Sequence, residues 1–416
     1  MAVNNNHNRQ YDIVVFGATG YTGKYTAEYI AEHLPLDLKW AIAGRSQPKL
    51  QEVIEHLKQI NPDRPIQPAI EICDLNDASL SALAKKAFVL IACVGPYCKL
   101  GEFALKACAE NGTHYFDVTG EAPWHLRMIK KYSSAAKSSG ALIFPQFGIE
   151  SAPPDLLTYS LASHLRTKHN SNTGDVTVSI HKLKSGPSGG TLATVFSIMD
   201  HIPLPEMAAA YKPYALSPVP NRHPTPSGSV FAKLTGLTTV PELGLLTTSV
   251  ANSTDSAVVQ RSWGLLEGMG KGYGPKFSFR EYMKPRNWLT GFGIHLGLLG
   301  LQIIMVVPFL RKLAAGWVRQ PGTGPDDEKA RGDEIEYRAL AVGDDERKTQ
   351  VLGKAWFRGR NIYYLTGLLV VEGAETLLRD DIKLEGGIYT PACLGQPLID
   401  RLDKVGFHFE TETLEN

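Results

Sequence analysis

Three glycines, Gly17, Gly20 and Gly23, fall in the pattern GxxGxxG, with Thr19, Tyr21 and Thr22 between them. Glycines let a loop take dihedrals closed to other residues and let a bulky anion reach the backbone N–H groups. Such a loop suits a pyrophosphate when a strand feeds it and a helix leaves it, because the helix N-terminus then faces the negative charge. Both elements are predicted here. Tyr11 to Phe16 is a β-branched apolar run of the kind buried in a parallel sheet, and Lys24 to His33 carries apolar residues at helical spacing. A second feature follows the next strand, Leu38 to Ala43, where Arg45 and Ser46 stand. A fold that prefers NAD usually has an acidic residue there for the ribose 2′-hydroxyl. A guanidinium instead suits a 2′-phosphate, which it can grip through two parallel hydrogen bonds. The expected cofactor is therefore NADPH.

The same alternation continues along the chain. A helix is expected over Gln47 to Ile60, a strand over Ile66 to Cys73 and a short helix over Asp77 to Lys86. Asp74, at that strand's end, has two roles open to it: accepting from the adenine amino group, or capping the following helix. Phe88 to Val94 reads as a fourth strand and opens into Gly95-Pro96-Tyr97. In open α/β sheets ligands bind beyond the carboxyl ends of the strands, so these three residues are expected along the cofactor near its nicotinamide. A helix over Gly101 to Asn111, a strand over His114 to Val118, a helix over Trp124 to Ser139 and a strand over Ala141 to Phe144 complete six strands. The expected fold class is α/β, a Rossmann-type doubly wound parallel sheet with a second α+β substrate domain. Domain limits are placed at residues 1–150, 151–350 and 351–416.

Composition narrows the classes further. With 416 residues, 43% apolar and 20% charged, the chain reads as a folded protein of two domains. A net charge of +1 supplies no field for nucleic acid. The five cysteines form no CxxC pair, which argues against a zinc site or disulfide framework and suits reduced thiols inside a cell. No His or Cys pair has metal-ligand spacing, and no GxSxG elbow follows a strand. The polar start MAVNNNHNRQ lacks the apolar stretch of a secretory signal.

Several segments together resemble the saccharopine dehydrogenase-like oxidoreductases: GATGYTG from Gly17, AGR from Ala43, VGPYCKLGE from Val94, YFDVTGE from Tyr115, GIESAPPDLL from Gly148 and GGIYTPACLGQPLIDRLDKVGFHFE from Gly386. Within that family the nearest branch is the trans-acting enoyl reductases of lipid and polyketide assembly, which is similar to animal proteins associated with lipid surfaces. The resemblance implies an NADPH hydride donor, a Rossmann domain interrupted by a substrate domain, and a C-terminal segment packed back on the first domain. One departure bears on substrate choice. Ile149 and Glu150 stand where the family usually has an aromatic residue and an Asp.

From Asp175 the pattern changes to strands, expected over Val176 to Lys184, Ser229 to Lys233, Thr248 to Asn252 and Val258 to Arg261. One face of that sheet is expected to be open to a ligand. The loop Ser185 to Thr191 is read as a flap over the nicotinamide or as a surface turn. Between Asn287 and Arg311 there is no charged side chain, a run long enough to cross a bilayer core of roughly 30 Å. A crossing would put the C-terminal segment on the wrong side of a membrane. The segment 288–310 is therefore expected to be a buried or dimer-interface helix, to lie against a lipid surface, or to line the path of a lipid-like substrate. Gln320 to Gly332 reads as an exposed linker.

Hydride chemistry belongs to the cofactor, which leaves the protein to position the substrate and handle a proton. No Tyr-x-x-x-Lys pair occurs near the cofactor strands. Tyr97 and Glu121 stand where a proton donor could be, with Lys182 and Glu150 behind them; Tyr97 could equally flank the ring, and Glu121 could cap the helix near Trp124. The expected activity is NADPH-dependent reduction of an activated C=C bond in a hydrophobic or carrier-bound substrate. A saccharopine-type imine or amino-acid oxidoreductase and a non-catalytic lipid-surface protein are the alternatives. The expected location is the cytoplasm, at the periphery of a membrane or lipid droplet, with a homodimer possible in principle and no nucleic-acid partner.

Overall fold

The computed structural model describes residues 7–184, 196–223, 228–315 and 332–415, so the loop at 185–191 and nearly all of the 320–332 linker lie outside the described residues. The first sheet is wholly parallel. It contains β1 (Tyr11–Phe16), β2 (Trp40–Gly44), β3 (Ala69–Ile72), β4 (Ala87–Ala92), β5 (His114–Asp117) and β6 (Leu142–Phe144). A seventh strand, β13 (Gly387–Ile388), adds at the β6 edge to give the order β13-β6-β5-β4-β1-β2-β3. β1 is buried along its whole length, as its unbroken apolar sequence requires. The chain reverses its winding between β1 and β4, and a crevice opens beyond the carboxyl ends of those two strands.

The second domain is built on a mixed sheet. Its strands are β7 (Thr173–Lys184), β8 (Thr238–Val240), β9 (Gly244–Thr248), β10 (Ser278–Met283), β11 (Glu334–Gly343), β12 (Gln350–Arg358) and β14 (His408–Thr413). They run in the order β14-β12-β11-β7-β10-β9-β8, antiparallel except for β10 beside β7. Two helices, Ala152–His169 and Asn252–Gly268, pack against this sheet.

Three strand expectations are corrected. Val258 to Arg261 lies inside the helix Asn252–Gly268, which is buried along most of its length. A helix covered on nearly every side has no polar face, so its apolar period vanishes and two valines look like a strand. Ser229 to Lys233 belongs to a short helix, Val230–Thr235, with Ser229 accepting from the Ala232 N–H and Gly236 in the left-handed region after its end. The strand expected over Thr248 to Asn252 instead ends at Thr248, and Ser249 to Ala251 turn the chain into the next helix.

The C-terminal stretch serves both sheets rather than packing only on the first domain, and the boundary placed at 350/351 falls inside β12. β12 and β14 complete the second sheet, whereas the helix Ile362–Arg379 and β13 join the first. That helix is buried almost throughout and crosses the helix Tyr21–His33 at Gly367, where a Cβ would stand 2.9 Å from the Thr26 backbone nitrogen. A glycine is needed here because the two backbones are nearly in contact.

Candidate active site

The glycine loop joins β1 to the helix Tyr21–His33. Gly17 has φ +89°, and a Cβ on it would lie 2.6 Å from Val94 Cγ2 and 2.9 Å from the Cys93 carbonyl oxygen. A Cβ on Gly23 would lie 2.2 Å from the Gly17 carbonyl oxygen. These two glycines draw the loop onto the helix start and onto β4. Gly20 is the N-cap; it offers no side-chain bond to the helix, and no acid occupies the first turn. Neither a capping side chain nor an acid is thus supplied at this helix start, whose N–H groups face the crevice end of the sheet. That is a cradle for an anion, and it fits the pyrophosphate of a dinucleotide. Thr19 and Thr22 are half-buried in the same loop.

Arg45 follows β2, is exposed and makes no ion pair among the described residues. Ser46 is the N-cap of the helix Gln47–Ile60 but gives it no side-chain bond, and that helix also lacks an acid in its first turn. A guanidinium, a hydroxyl and a helix N-terminus thus follow one another at the carboxyl end of β2, the donor types that suit a phosphate. The cap of the helix Asp77–Lys86 is Asn76, which accepts from Ser79 N at 2.8 Å, so Asp74 is left exposed at the strand end and is not the cap.

Gly95 and Pro96 leave β4 at the crevice through a cis peptide bond. Tyr97 and Glu121 meet there, with their polar groups engaged inside the fold. The Tyr97 hydroxyl donates to the Ala92 carbonyl at 2.8 Å, and its ring is buried against Trp124. Glu121 is fully buried, and its two oxygens accept from Tyr97 N and Cys98 N, each at 2.7 Å. It thus satisfies the first turn of the Tyr97–Leu100 helix rather than the helix near Trp124. Burial raises its carboxyl pKa while these N–H bonds pull the other way. Glu121→Ala should therefore cost about 2–3 kcal/mol, because two buried N–H groups lose a charged acceptor. A urea-derived unfolding free energy within about 0.5 kcal/mol of wild type would contradict this.

Next to Glu121, Asp117 is buried at the end of β5. It accepts from Thr119 N and Gln146 N at 3.0 Å each and from the Tyr115 hydroxyl at 2.9 Å. Burial still pushes its pKa up to about 7. Glu150 lies across this edge, so close that a Cβ on Gly120 would stand 2.3 Å from its Oε2. Its side chain keeps contact with solvent although protein surrounds it, and that crowding raises its pKa. Lys182 is not part of this edge: it reaches Glu334 at 3.3 Å on the outer surface of the second sheet.

The second domain meets the cofactor edge through the helix Asn252–Gly268. Thr254 Oγ1 donates to the Gly120 carbonyl at 3.3 Å. Beside this contact is a cavity of ≈ 220 Å³ lined by Tyr211, Lys212, Asn252, Gln260, Phe279 and Arg280. Deeper in, Asp255 and Glu281 form a buried carboxyl pair, and Ser249 donates to Glu281 Oε1 at 2.6 Å. Burial, with Glu281's charge behind it, holds Asp255 well above the carboxylate range, so the pair keeps a proton.

Residues far along the chain also brace the glycine loop. Asn361 donates to the Tyr21 and Tyr25 hydroxyls at 2.8 and 2.9 Å while accepting from Tyr363 N, and the Tyr363 ring packs edge-on against Tyr21. No local pattern in the sequence marks them. Among the described residues, no cluster of His, Cys, Asp and Glu could hold a metal.

Residues 13–144 match the family profile of the saccharopine dehydrogenase NADP-binding domain. A Mycobacterium tuberculosis protein that carries the provisional name trans-acting enoyl reductase is 31% identical, with 98% of each chain covered. A Caenorhabditis elegans lipid droplet localized protein is 28% identical over 97% of this chain and 99% of its own. The human saccharopine dehydrogenase-like oxidoreductase is 29% identical over 96% and 97%. Among solved structures, saccharopine dehydrogenase (L-Glu forming) from Saccharomyces cerevisiae superposes with a TM-score of 0.55 at 10% identity, covering 97% of this chain and 99% of that one. The chain belongs to the saccharopine dehydrogenase family and is an oxidoreductase that uses NADP(H).

Proposed function

We propose that the chain reduces an activated C=C bond, of the enoyl type, in a hydrophobic polyketide- or lipid-like substrate. The observation that carries this reading is the cavity lined by Tyr211, Phe279, Asn252 and Gln260, which the Thr254–Gly120 bond fixes beside the cofactor edge. The name borne by the mycobacterial relative supports the choice of bond. Bound NADPH supplies the hydride; the chain's own residues hold the cofactor and the substrate and manage one proton. The loop Gly17, Thr19, Gly20, Tyr21, Thr22 and Gly23 holds the pyrophosphate, Arg45 and Ser46 take the 2′-phosphate, and Asp74 faces the adenine. Gly95 and Pro96 flank the nicotinamide, and the buried Tyr97 supports that turn from inside the fold. Since Tyr97 and Glu121 are tied into the fold, proton delivery to the enolate falls to Glu150 or to solvent in the cleft.

Lys212 and Arg280 at the cavity favour a second reading, because two cations suit a substrate carboxylate and so an imine or amino-acid substrate. One experiment separates the two. The full chain is incubated with deuterated NADPH and either an enoyl thioester or a 2-oxo acid with an amine, and the products are analysed by mass spectrometry. Deuterium at the β-carbon of a saturated thioester is the expected result. Deuterium on a carbon attached to nitrogen would establish the second reading. Absence of both turnover and cofactor binding would leave a lipid-surface protein without catalysis.

A further inference from the structure

The helix Trp288–Val306 is long and apolar enough to cross a membrane by length and composition, with a mean hydropathy of 1.8, yet only 17% of its most apolar window is buried. It does not stand alone. Gly236, in the left-handed region at the end of the Val230–Thr235 helix, lies against the His295 ring, and Thr248 Oγ1 bonds His295 Nδ1 at 2.9 Å. The short helix is therefore seated by its C-terminal end against the long one at His295, and the two make one unit. It exposes Phe231 at 63% and Leu234 at 70% on the short helix, and Leu289 at 62% and Ile303 at 59% on the long one. The following helix, Pro308–Ala315, extends it with Phe309, 74% exposed. A monomer rarely leaves an apolar patch of this extent facing water.

The fold decides how this surface can lie. β10 precedes the long helix and β11 follows it, and both pair with β7, so the two ends of the apolar segment stay on one side of any membrane. The helix is also held along the protein body near both ends. Gly291 is buried near its start, His295 towards its middle and Met305 near its end, while Arg311, in the following helix, bonds the Met305 carbonyl and Asp200. On its free face, which includes Gly293, Gly297 and Gly300, nothing among the described residues comes within 4 Å of a Cβ. Charge identifies the partner. From Tyr282 to Pro325 the chain has no Asp or Glu, and exposed Lys233, Arg286 and Lys312 border the apolar face. An apolar face with a cationic rim and an exposed Trp288 at its edge is complementary to an anionic phospholipid surface.

We propose that the helices at 230–235 and 288–315 form one in-plane platform that docks the enzyme on an anionic phospholipid surface without crossing it. This does not depend on which bond the enzyme reduces. The test is flotation of the full chain with vesicles of phosphatidylcholine and phosphatidylserine, alongside Phe231→Asp and Ile303→Asp variants. NADPH binding is measured on each to confirm that the exposed substitutions leave the fold intact. Wild type is expected to float and to be released by an alkaline carbonate wash, and each variant should lose at least tenfold in partitioning. Unchanged flotation of Phe231→Asp would overturn the two-helix platform. Resistance to carbonate would overturn the in-plane arrangement. A wild-type dimer that does not float, and that both variants convert to a monomer, would assign the surface to a second copy of the chain instead.

Discussion

Arg45→Asp is expected to invert the cofactor preference, moving the ratio of NADPH to NADH affinity by on the order of 1,000-fold. Arg45 is exposed directly after β2, at the start of a helix whose first turn carries no acid. Hydrogen bonds to a charged group contribute about 1.5–3 kcal/mol, so losing the guanidinium should weaken NADPH by roughly 10- to 150-fold. The new carboxylate then repels the 2′-phosphate and gives the NADH ribose hydroxyl an acceptor, which supplies the remainder. Arg45→Ala should show the first part alone, weakening NADPH and leaving NADH unchanged. Fluorescence titration of the three proteins with both cofactors measures this directly. An unchanged ratio in Arg45→Asp would place the 2′-phosphate on other donors.

What could be read from the sequence follows the range over which each residue acts. Gly17, Gly20 and Gly23 answer to a strand and a helix within a dozen residues, so their role is written locally and the loop stands where it was expected. Arg45 is equally local. Asn361 braces the same loop from 340 residues away, through Tyr21, and no spacing rule can reveal such a contact. Gly367 is the same case: its need for a bare backbone exists only because two distant helices cross there. Glu121 shows a different limit. A carboxylate at the end of a strand suggests proton transfer, yet its partners are backbone N–H groups at Tyr97 and Cys98, and backbone donors leave no mark in the sequence. The helix Asn252–Gly268 was hidden for an energetic reason, since burial on nearly every side removes the polar face that reveals a helix. The apolar segment was visible by composition, and the family-like segment after it already argued against a crossing; the pairing of β10 and β11 with β7 gives the geometric reason that its ends lie on one side.

Asp117→Asn should flatten the dependence of stability on pH between about 4 and 7. Asp117 is fully buried, and burial, opposed by the Thr119, Gln146 and Tyr115 bonds, sets its folded pKa near 7 against a reference value of 3.8. The nearby Glu121 carboxylate adds to the upward push. Between these two values the unfolded chain has lost the proton that the folded chain still holds. The folded state thus binds more protons, and stability falls as pH rises through that window, levelling off above the folded pKa. For a shift of about three units the loss is at most about 4 kcal/mol. Asp155, also buried and pushed to about 7, contributes in the same direction, as do Glu121, Glu150 and the Asp255–Glu281 pair. Burial lowers His114 and His125 to about 4 and 3, which opposes it. The variant should therefore lose Asp117's share of the slope and not the whole of it. Asn is the informative substitution. Its carbonyl can still accept from the Thr119 and Gln146 N–H groups, and the Tyr115 hydroxyl can turn to accept from its amide. Urea unfolding at pH 5 and pH 8 should therefore show Asp117→Asn gaining on wild type as pH rises. Equal slopes in the two proteins would mean that Asp117 is ionised in the folded state throughout this range, its three donors outweighing the cost of burial.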